Sequence, residues 1–291
     1  MDLTTKTEFE RKRYDAIAWM RVVVEHLRNS YRAWVFFTPN LILGVVGSVA
    51  NVIGFYYLGK YVAPSMDRFV AEYNGGYVAF LLTGVALNAF TRTATQSIYK
   101  AYSEGYWLTH LDAYAVHPMG VSAYVTGAVL YDYLMSAVIV GIYVVLGVWL
   151  FGVKITLVNW ATLLEVAAVS TVALTGIGLV AASCFGLLNC KTSNPVTWLV
   201  EHLVNLTSGV YFPIAVLPKW SQRVAALLPQ THAYHAMRRV ALAGAGIQDA
   251  EVIKALGALA ILIAAILPAG LWLFRASIRR AERTGDLSRW T

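Results

Sequence analysis

Charge is what this sequence has least of. Asp, Glu, Lys and Arg make up 13% of its 291 residues, about half of the ~25% usual in a soluble domain. Hydrophobic residues make up 58% and mean hydropathy is +0.58, so most of the chain cannot be solvated at its surface. Cysteine is nearly missing as well: there are two, Cys184 and Cys190. Six positions apart on one apolar stretch, they fall on different faces of a helix, so neither a disulfide nor a metal site is implied. The opening residues, MDLTTKTEFERKRYDAIAW, carry charge but no apolar segment before a small-residue cleavage site. No cleavable signal peptide is expected. These shortages exclude a soluble enzyme and a secreted disulfide scaffold.

What the chain has in abundance is long apolar runs. A bilayer core takes about 20 apolar residues per helix. At least six stretches qualify: Ala33 to Gly59, Tyr73 to Thr91, Ala113 to Val153 broken only by Asp132, Ile155 to Cys190 broken only by Glu165, Thr192 to Pro218 broken only by Glu201, and Ala255 to Phe274. Spans are expected at about 34–58, 74–98, 122–151, 160–188, 195–217 and 254–275. Seven basic residues precede the first span and five follow the last. Basic residues collect on the cytoplasmic side, so both termini are expected in the cytoplasm, which an even number of spans allows. The same rule accounts for 23 basic against 16 acidic residues without nucleic acid.

Three segments outside the simple spans stand out. From Asp15 to Trp34, apolar Ile17, Met20, Val24, Leu27, Tyr31 and Trp34 recur at helical spacing, opposite Arg21, Glu25, Arg28 and Arg32. This is the pattern of an amphipathic helix in the headgroup plane, anchoring to lipid or docking a cytosolic partner. Residues Lys100 to Gly120, with Glu104, Gly105, Trp107, His110, Asp112, His117 and Pro118, form a cytosolic loop longer than a helix turn requires. Gly209 to Glu251 faces outward, and three of the eight prolines, Pro213, Pro218 and Pro229, fall within 17 residues of it. Tyr211, Phe212, Ile214, Val216, Leu217 and Trp220 are interleaved with them. A hydrated loop does not carry so much apolar surface, and a continuous helix does not tolerate these prolines. A broken, re-entrant hairpin buried against protein meets both conditions.

Polar residues inside the spans offer two readings each. Glu165 lies near the outer end of the fourth span, Glu201 about two turns inside the fifth, and Asp132 closest to mid-membrane. Asp132 and Glu201 are candidates for a polar pathway or for hydrogen-bonded residues that fix helix register. Arg92 is placed to pair with a carboxylate. His232 and His235 share a helix face but have no third ligand at suitable spacing, so no metal is expected. Asn205-Leu206-Thr207 fits the glycosylation pattern but lies inside a span. Gly54, Gly59 and Lys60 match a phosphate-binding loop, yet Tyr61 supplies no small hydroxyl for magnesium and no strand precedes it. The chain is not read as an ATPase.

The stretch SGVYFPIAVLPKWSQRVAALLPQTHAYHAMRRVALAG, Ser208 to Gly244, resembles the C-terminal signature of ABC type-2 permeases. The resemblance rests on Ser208, Gly209, Tyr211, Phe212 and Pro213, then Leu217, Pro218 and Trp220, then Pro229, Thr231 and His232, followed by Arg238 or Arg239. Gln230 stands where many members have Leu. In style the chain is most similar to drug- and lipid-export permeases of the daunorubicin-resistance and nodulation type.

The resemblance implies an all-α polytopic membrane protein with six transmembrane helices, an N-terminal interfacial helix and an outward-facing re-entrant hairpin. It divides the chain into a cytosolic N-terminus (1–33), a permease domain (34–275, with a coupling loop at 99–120 and the hairpin at 209–251) and a basic tail (276–291). It further implies two permease copies and a separate ATPase subunit that binds the ATP and Mg, leaving no cofactor in this chain. Arg21, Glu25, Arg28, Glu104, Gly105 and Trp107 would contact that subunit; Gly209, Phe212, Pro213, Pro218 and His232 would form the outer gate. The cargo would be amphipathic, lipid-like or drug-like, exported across the plasma or inner membrane. Two other readings stay open: a proton-coupled carrier using Asp132 and Glu201, and a membrane-embedded enzyme using the His232/His235 region.

Overall fold

The computed structural model describes residues 3–36, 38–108, 111, 114, 120–153 and 156–284. His110, Asp112, His117 and Pro118 of the cytosolic loop lie outside the described residues. Regular structure among the described residues is helical throughout. Nine α-helices follow one another there: α1 (Leu3–Phe36), α2 (Thr38–Met66), α3 (Gly76–Trp107), α4 (Gly120–Phe151), α5 (Trp160–Leu187), α6 (Pro195–Thr207), α7 (Lys219–Ala226), α8 (Pro229–Ala243) and α9 (Ala250–Thr284).

Four segments are long and apolar enough to cross a membrane: Ile42–Phe69, Val121–Phe151, Trp160–Leu187 and Ala250–Ala281. They correspond to the first, third, fourth and sixth expected spans. The second and fifth differ, for separate reasons. Helix α3 has the length, 32 residues or about 48 Å, but Asn88, Arg92, Lys100 and Glu104 dilute its apolar character. Helix α6 stops after 13 residues, about 20 Å, against a hydrocarbon core of about 30 Å. The expected span to residue 217 is cut short because Gly209 turns the chain at φ +79° and Pro213 follows. Helix ends also overrun the expected limits, α3 to Trp107 and α9 to Thr284, since a helix that leaves the bilayer keeps its own hydrogen bonds.

Helix α5 is the centre of the bundle. In its apolar window 44% of residues are buried, against 11–17% in the other three candidate spans. Small residues make this possible: a Cβ on Gly178 would lie 2.7 Å from the Ala94 carbonyl of α3, and one on Gly270 of α9 would lie 2.6 Å from the Gly176 carbonyl. Close backbone approach through glycine is how helices gain packing where lipid supplies no hydrophobic drive. Several hydroxyls in these helices bond back to their own helix, as Thr83 to Ala79, Thr171 to Ala167 and Thr175 to Thr171 show.

Helix α1 packs one side against the start of α4. Val23 is buried, His26 stands edge-on to Tyr124 (5.1 Å between centroids), and Trp19 Nε1 donates to Ser122 Oγ (3.4 Å). Ile17, Met20, Val24 and Tyr31 remain exposed on another side. That leaves the apolar stripe read from the sequence free of protein.

Candidate functional site

One site forms at the C-terminal end of α3, where α1, α3 and α4 converge. The last turns of α3 place Lys100, Glu104, Gly105 and Trp107 together. Lys100 Nζ lies 2.8 Å from Asp132 Oδ1 of α4 and 3.9 Å from Glu104 Oε1. Asp132, the carboxylate expected closest to mid-membrane, is therefore paired with a lysine one helix away. Around this pair opens a cavity of about 650 Å³, lined by Arg21 and Glu25 of α1 together with Lys100, Glu104 and Asp132. Burial raises the Glu104 carboxyl above its ordinary range, with Lys100 opposing. Arg28 is outside this cavity and pairs with Glu25 at 3.7 Å on the exposed side.

Gly105 and Trp107 serve packing on other sides of the same turn. A Cβ on Gly105 would sit 2.8 Å from the Tyr124 ring, so α3 and α4 meet closely there. Trp107 Nε1 and Ser103 Oγ both donate to the Lys191 carbonyl, at 3.2 and 2.7 Å. The Lys191 ammonium lies 4.0 Å from the Phe185 ring centroid. The inner end of α3 thus grips the short connection between α5 and α6.

Helix α6 begins with Asn194, whose side chain accepts from Val196 N and Thr197 N while Pro195 fills the first helical position. Its only carboxylate, Glu201, receives Arg92 Nε at 3.2 Å and Gln96 Nε2 at 3.0 Å from α3. One turn further out, Asn88 Nδ2 donates to Asn205 Oδ1 at 3.1 Å. The asparagine of the glycosylation-like triplet is thus a helix-to-helix contact.

A second site, towards the other end of α3, is built by the proline-divided segment. Pro218 precedes α7, Pro229 opens α8, and Gly244 ends α8 at φ +69° with the Ala245 N–H returning to the Arg239 carbonyl. His232 Nε2 bonds the Ala226 carbonyl (3.0 Å), a group left open where α7 stops before Pro229. His235 Nδ1 meets the Tyr73 hydroxyl at 2.7 Å, so the two imidazoles serve separate partners. Tyr234 reaches Asn88 and Thr91, midway along α3. Phe212 is exposed, and Pro213 with Gly209 lines a cavity beside Arg238. Pro218 is exposed.

Arg238 is the keystone. It is 2% exposed, donates to the Gly209 and Val210 carbonyls, and stacks 3.6 Å from the Phe80 ring centroid. Gly84 of α3 has no side chain because a Cβ there would collide with the guanidinium and the Val210 carbonyl. Tyr77 Oη donates to the Tyr211 carbonyl at 2.9 Å. Neighbouring Arg239 points elsewhere, to Asp249 at 2.7 Å and the Glu72 carbonyl at 3.0 Å. Sequence reasoning reached Arg238 only as one of two alternatives and missed Gly84, Tyr77, Tyr73 and Lys100. For Lys100 the signal was present, as a cation at the inner end of one span opposite an acid in the next; for Gly84 there was none.

Two groups of residues, then, meet at opposite ends of α3: charged residues with Trp107 at one end, the proline-divided segment at the other. Among curated proteins none matches the chain. The sequence model of the ABC-2 type transporter family matches residues 16–242, which takes in most of α1, the charged cavity, α6 and most of the proline-divided segment. The chain belongs to the ABC-2 type transporter family, as the membrane-embedded permease component of an ABC transporter.

Proposed function

We propose that this permease is the membrane half of an ATP-driven exporter, working as a homodimer with two copies of a separate ATPase subunit. ATP binding draws the ATPase subunits together, and the paired permeases pass between inward-closed and outward-open states. The cargo is an amphipathic, lipid-like or drug-like compound that moves through or beside the dimer interface. The chain itself catalyses no covalent chemistry. It crosses the plasma or inner membrane six times with both termini in the cytoplasm; α6 and the 208–244 segment together make the fifth crossing, with α7 and α8 as a hairpin re-entering the outer leaflet. Tyr234 supports that depth, because its partner Asn88 is 12 residues from the start of α3, about 18 Å along the axis.

The observation that carries this reading is the double engagement of α3. Its inner end holds Glu104 beside α1, Gly105 against Tyr124 of α4 and Trp107 on the Lys191 carbonyl; its outer half holds Gly84 and Tyr77 against the Gly209–Tyr211 turn. A push on the inner end reaches the hairpin through one rigid helix of about 48 Å. A proton-coupled carrier is less well supported, since Asp132 and Glu201 each face a cation and neither stands free as a relay. The test is to purify tagged protein gently from its native membrane and assay the eluate. A near-stoichiometric soluble ATPase with vanadate-sensitive hydrolysis is expected; recovery of this chain alone, under conditions that preserve other membrane complexes, contradicts the assignment.

A further inference from the structure

Helix α9 ends in a stripe of arginines that the rest of the protein leaves unpaired. Contacts fix which side of this helix faces protein. Gly270 packs on the Gly176 carbonyl of α5, Phe274 stands edge-on to Tyr102 of α3, and Ser277 Oγ accepts from Gly186 N. At about 3.6 residues per turn, Trp272, Arg275, Arg279 and Arg283 fall together on the side turned away from these contacts. All four are exposed, Trp272 by 70%. Among the described residues no Asp or Glu pairs with these three arginines, whereas neighbouring Arg280 donates to the Leu187 carbonyl at 3.1 Å. Residues 255–281 contain no acid, and the first, Glu282, comes only beyond Arg279.

The surface changes polarity along the helix axis. A groove of about 340 Å³ opens there, and the described residues in its wall are Pro268, Leu271, Trp272, Arg275, Ala276 and Arg279. Its Pro268 end is apolar; about 10 Å further along the axis it carries two guanidinium groups one turn apart, close enough to share one phosphate. Guanidinium matches phosphate oxygens with paired N–H donors, and an exposed indole suits the boundary between hydrocarbon and headgroups. A soluble partner would reach the arginines but not Pro268 and Leu271, which belong to the apolar segment Ala250–Ala281. A zwitterionic headgroup would bring a positive charge that no carboxylate in the groove wall meets. A phospholipid of net negative charge matches both ends of the groove.

We propose that the C-terminal part of α9 is a binding site for an anionic phospholipid, with the phosphate between Arg275 and Arg279, the indole of Trp272 beside the glycerol region, and an acyl chain along Leu271 and Pro268. The lipid fixes the depth at which α9 sits, and α9 packs along α5, the centre of the bundle. This inference rests on α9 crossing the bilayer. It does not depend on the ATP-driven reading or on any cargo.

The experiment uses the purified full-length chain, stripped of lipid in detergent and then mixed with equal amounts of phosphatidylglycerol and phosphatidylcholine. Native mass spectrometry counts the lipids that each protein retains. The wild type should retain phosphatidylglycerol in preference, and Arg275→Gln/Arg279→Gln should bind it roughly tenfold or more weakly, with phosphatidylcholine unchanged. Lys60→Gln/Lys219→Gln removes two exposed cations elsewhere and should behave as the wild type. Equal retention of the two lipids by the wild type overturns the proposal, as does a lysine control that loses as much phosphatidylglycerol as the arginine variant. If the arginine variant keeps its phosphatidylglycerol but loses a co-purifying protein, the stripe is a protein contact and the proposal also falls. A second readout does not need that variant. Phosphatidylglycerol with brominated chains should quench the wild-type fluorescence more than brominated phosphatidylcholine does, and this difference should shrink in Trp272→Phe; an undiminished difference overturns the placement beside Trp272.

Discussion

Replacing Gly84 by Ala sets two physical effects against each other. Helix propensity favours Ala over Gly by about 1 kcal/mol in a helix interior, so propensity alone predicts a more stable protein. The packing predicts the reverse. A Cβ at this position meets the Arg238 guanidinium and the Val210 carbonyl, which are bonded to each other at 2.9 Å and cannot part independently. If the backbone shifts to make room, overpacking costs about 1–3 kcal/mol. If Arg238 swings away, two hydrogen bonds to a charged donor are lost, each about 1.5–3 kcal/mol. After the propensity gain is deducted, net destabilisation is about 0–2 kcal/mol if the backbone shifts and about 2–5 kcal/mol if Arg238 swings away. Gly257 of α9, whose added Cβ would meet nothing within 4 Å, is the control. Unfolding of Gly84→Ala, Gly257→Ala and wild type should be compared in one detergent by intrinsic fluorescence. Gly257→Ala should equal or exceed the wild type, with Gly84→Ala clearly below. A Gly84→Ala protein as stable as the Gly257→Ala control refutes the close packing of α3 on the hairpin.

Other outcomes follow from the same contacts. Lys100→Met leaves Asp132, with its side chain 17% exposed, without its cation; because Lys100 is half-exposed, a loss of roughly 1–2 kcal/mol is expected, and adding Asp132→Asn should restore most of it in a double-mutant cycle. Combining Glu104→Ala with Trp107→Ala should release the ATPase subunit during purification, while Arg28→Ala, which lies outside the inner cavity, should release it far less.

How much of this was legible beforehand varies with the kind of signal. Helices α4 and α5 fall within two residues of their expected limits, because each is an apolar run interrupted by a single carboxylate, Asp132 or Glu165. The prolines marked where the outer segment breaks, since a missing N–H acts locally. The length of α6 was misjudged: apolar Val210 to Leu217 continued the hydropathy of the span, but Gly209 at positive φ ends the helix before them. Ion pairing was visible only in part. Arg92 read as placed to pair with a carboxylate, and it does pair with Glu201; that choice, and Lys100 as the partner of Asp132, are fixed by how α3 is rotated against α4 and α6, which one-dimensional spacing does not specify. For the same reason Arg238 and Arg239 were interchangeable in sequence, although one is buried in the hairpin and the other is tied to Asp249 near the surface.

The central claim is that force entering at the inner end of α3 reaches the hairpin at its outer end. Hydrogen exchange of residues 208–217 in the purified transporter complex tests this directly, with and without ATP and vanadate. Trapping the nucleotide should change protection of this segment in the wild type and leave it unchanged in Gly105→Leu, where the added side chain disturbs the junction of α3 with Tyr124 while the ATPase remains bound. Identical protection in the two nucleotide states of the wild type, or an undiminished response in that variant, contradicts transmission through α3.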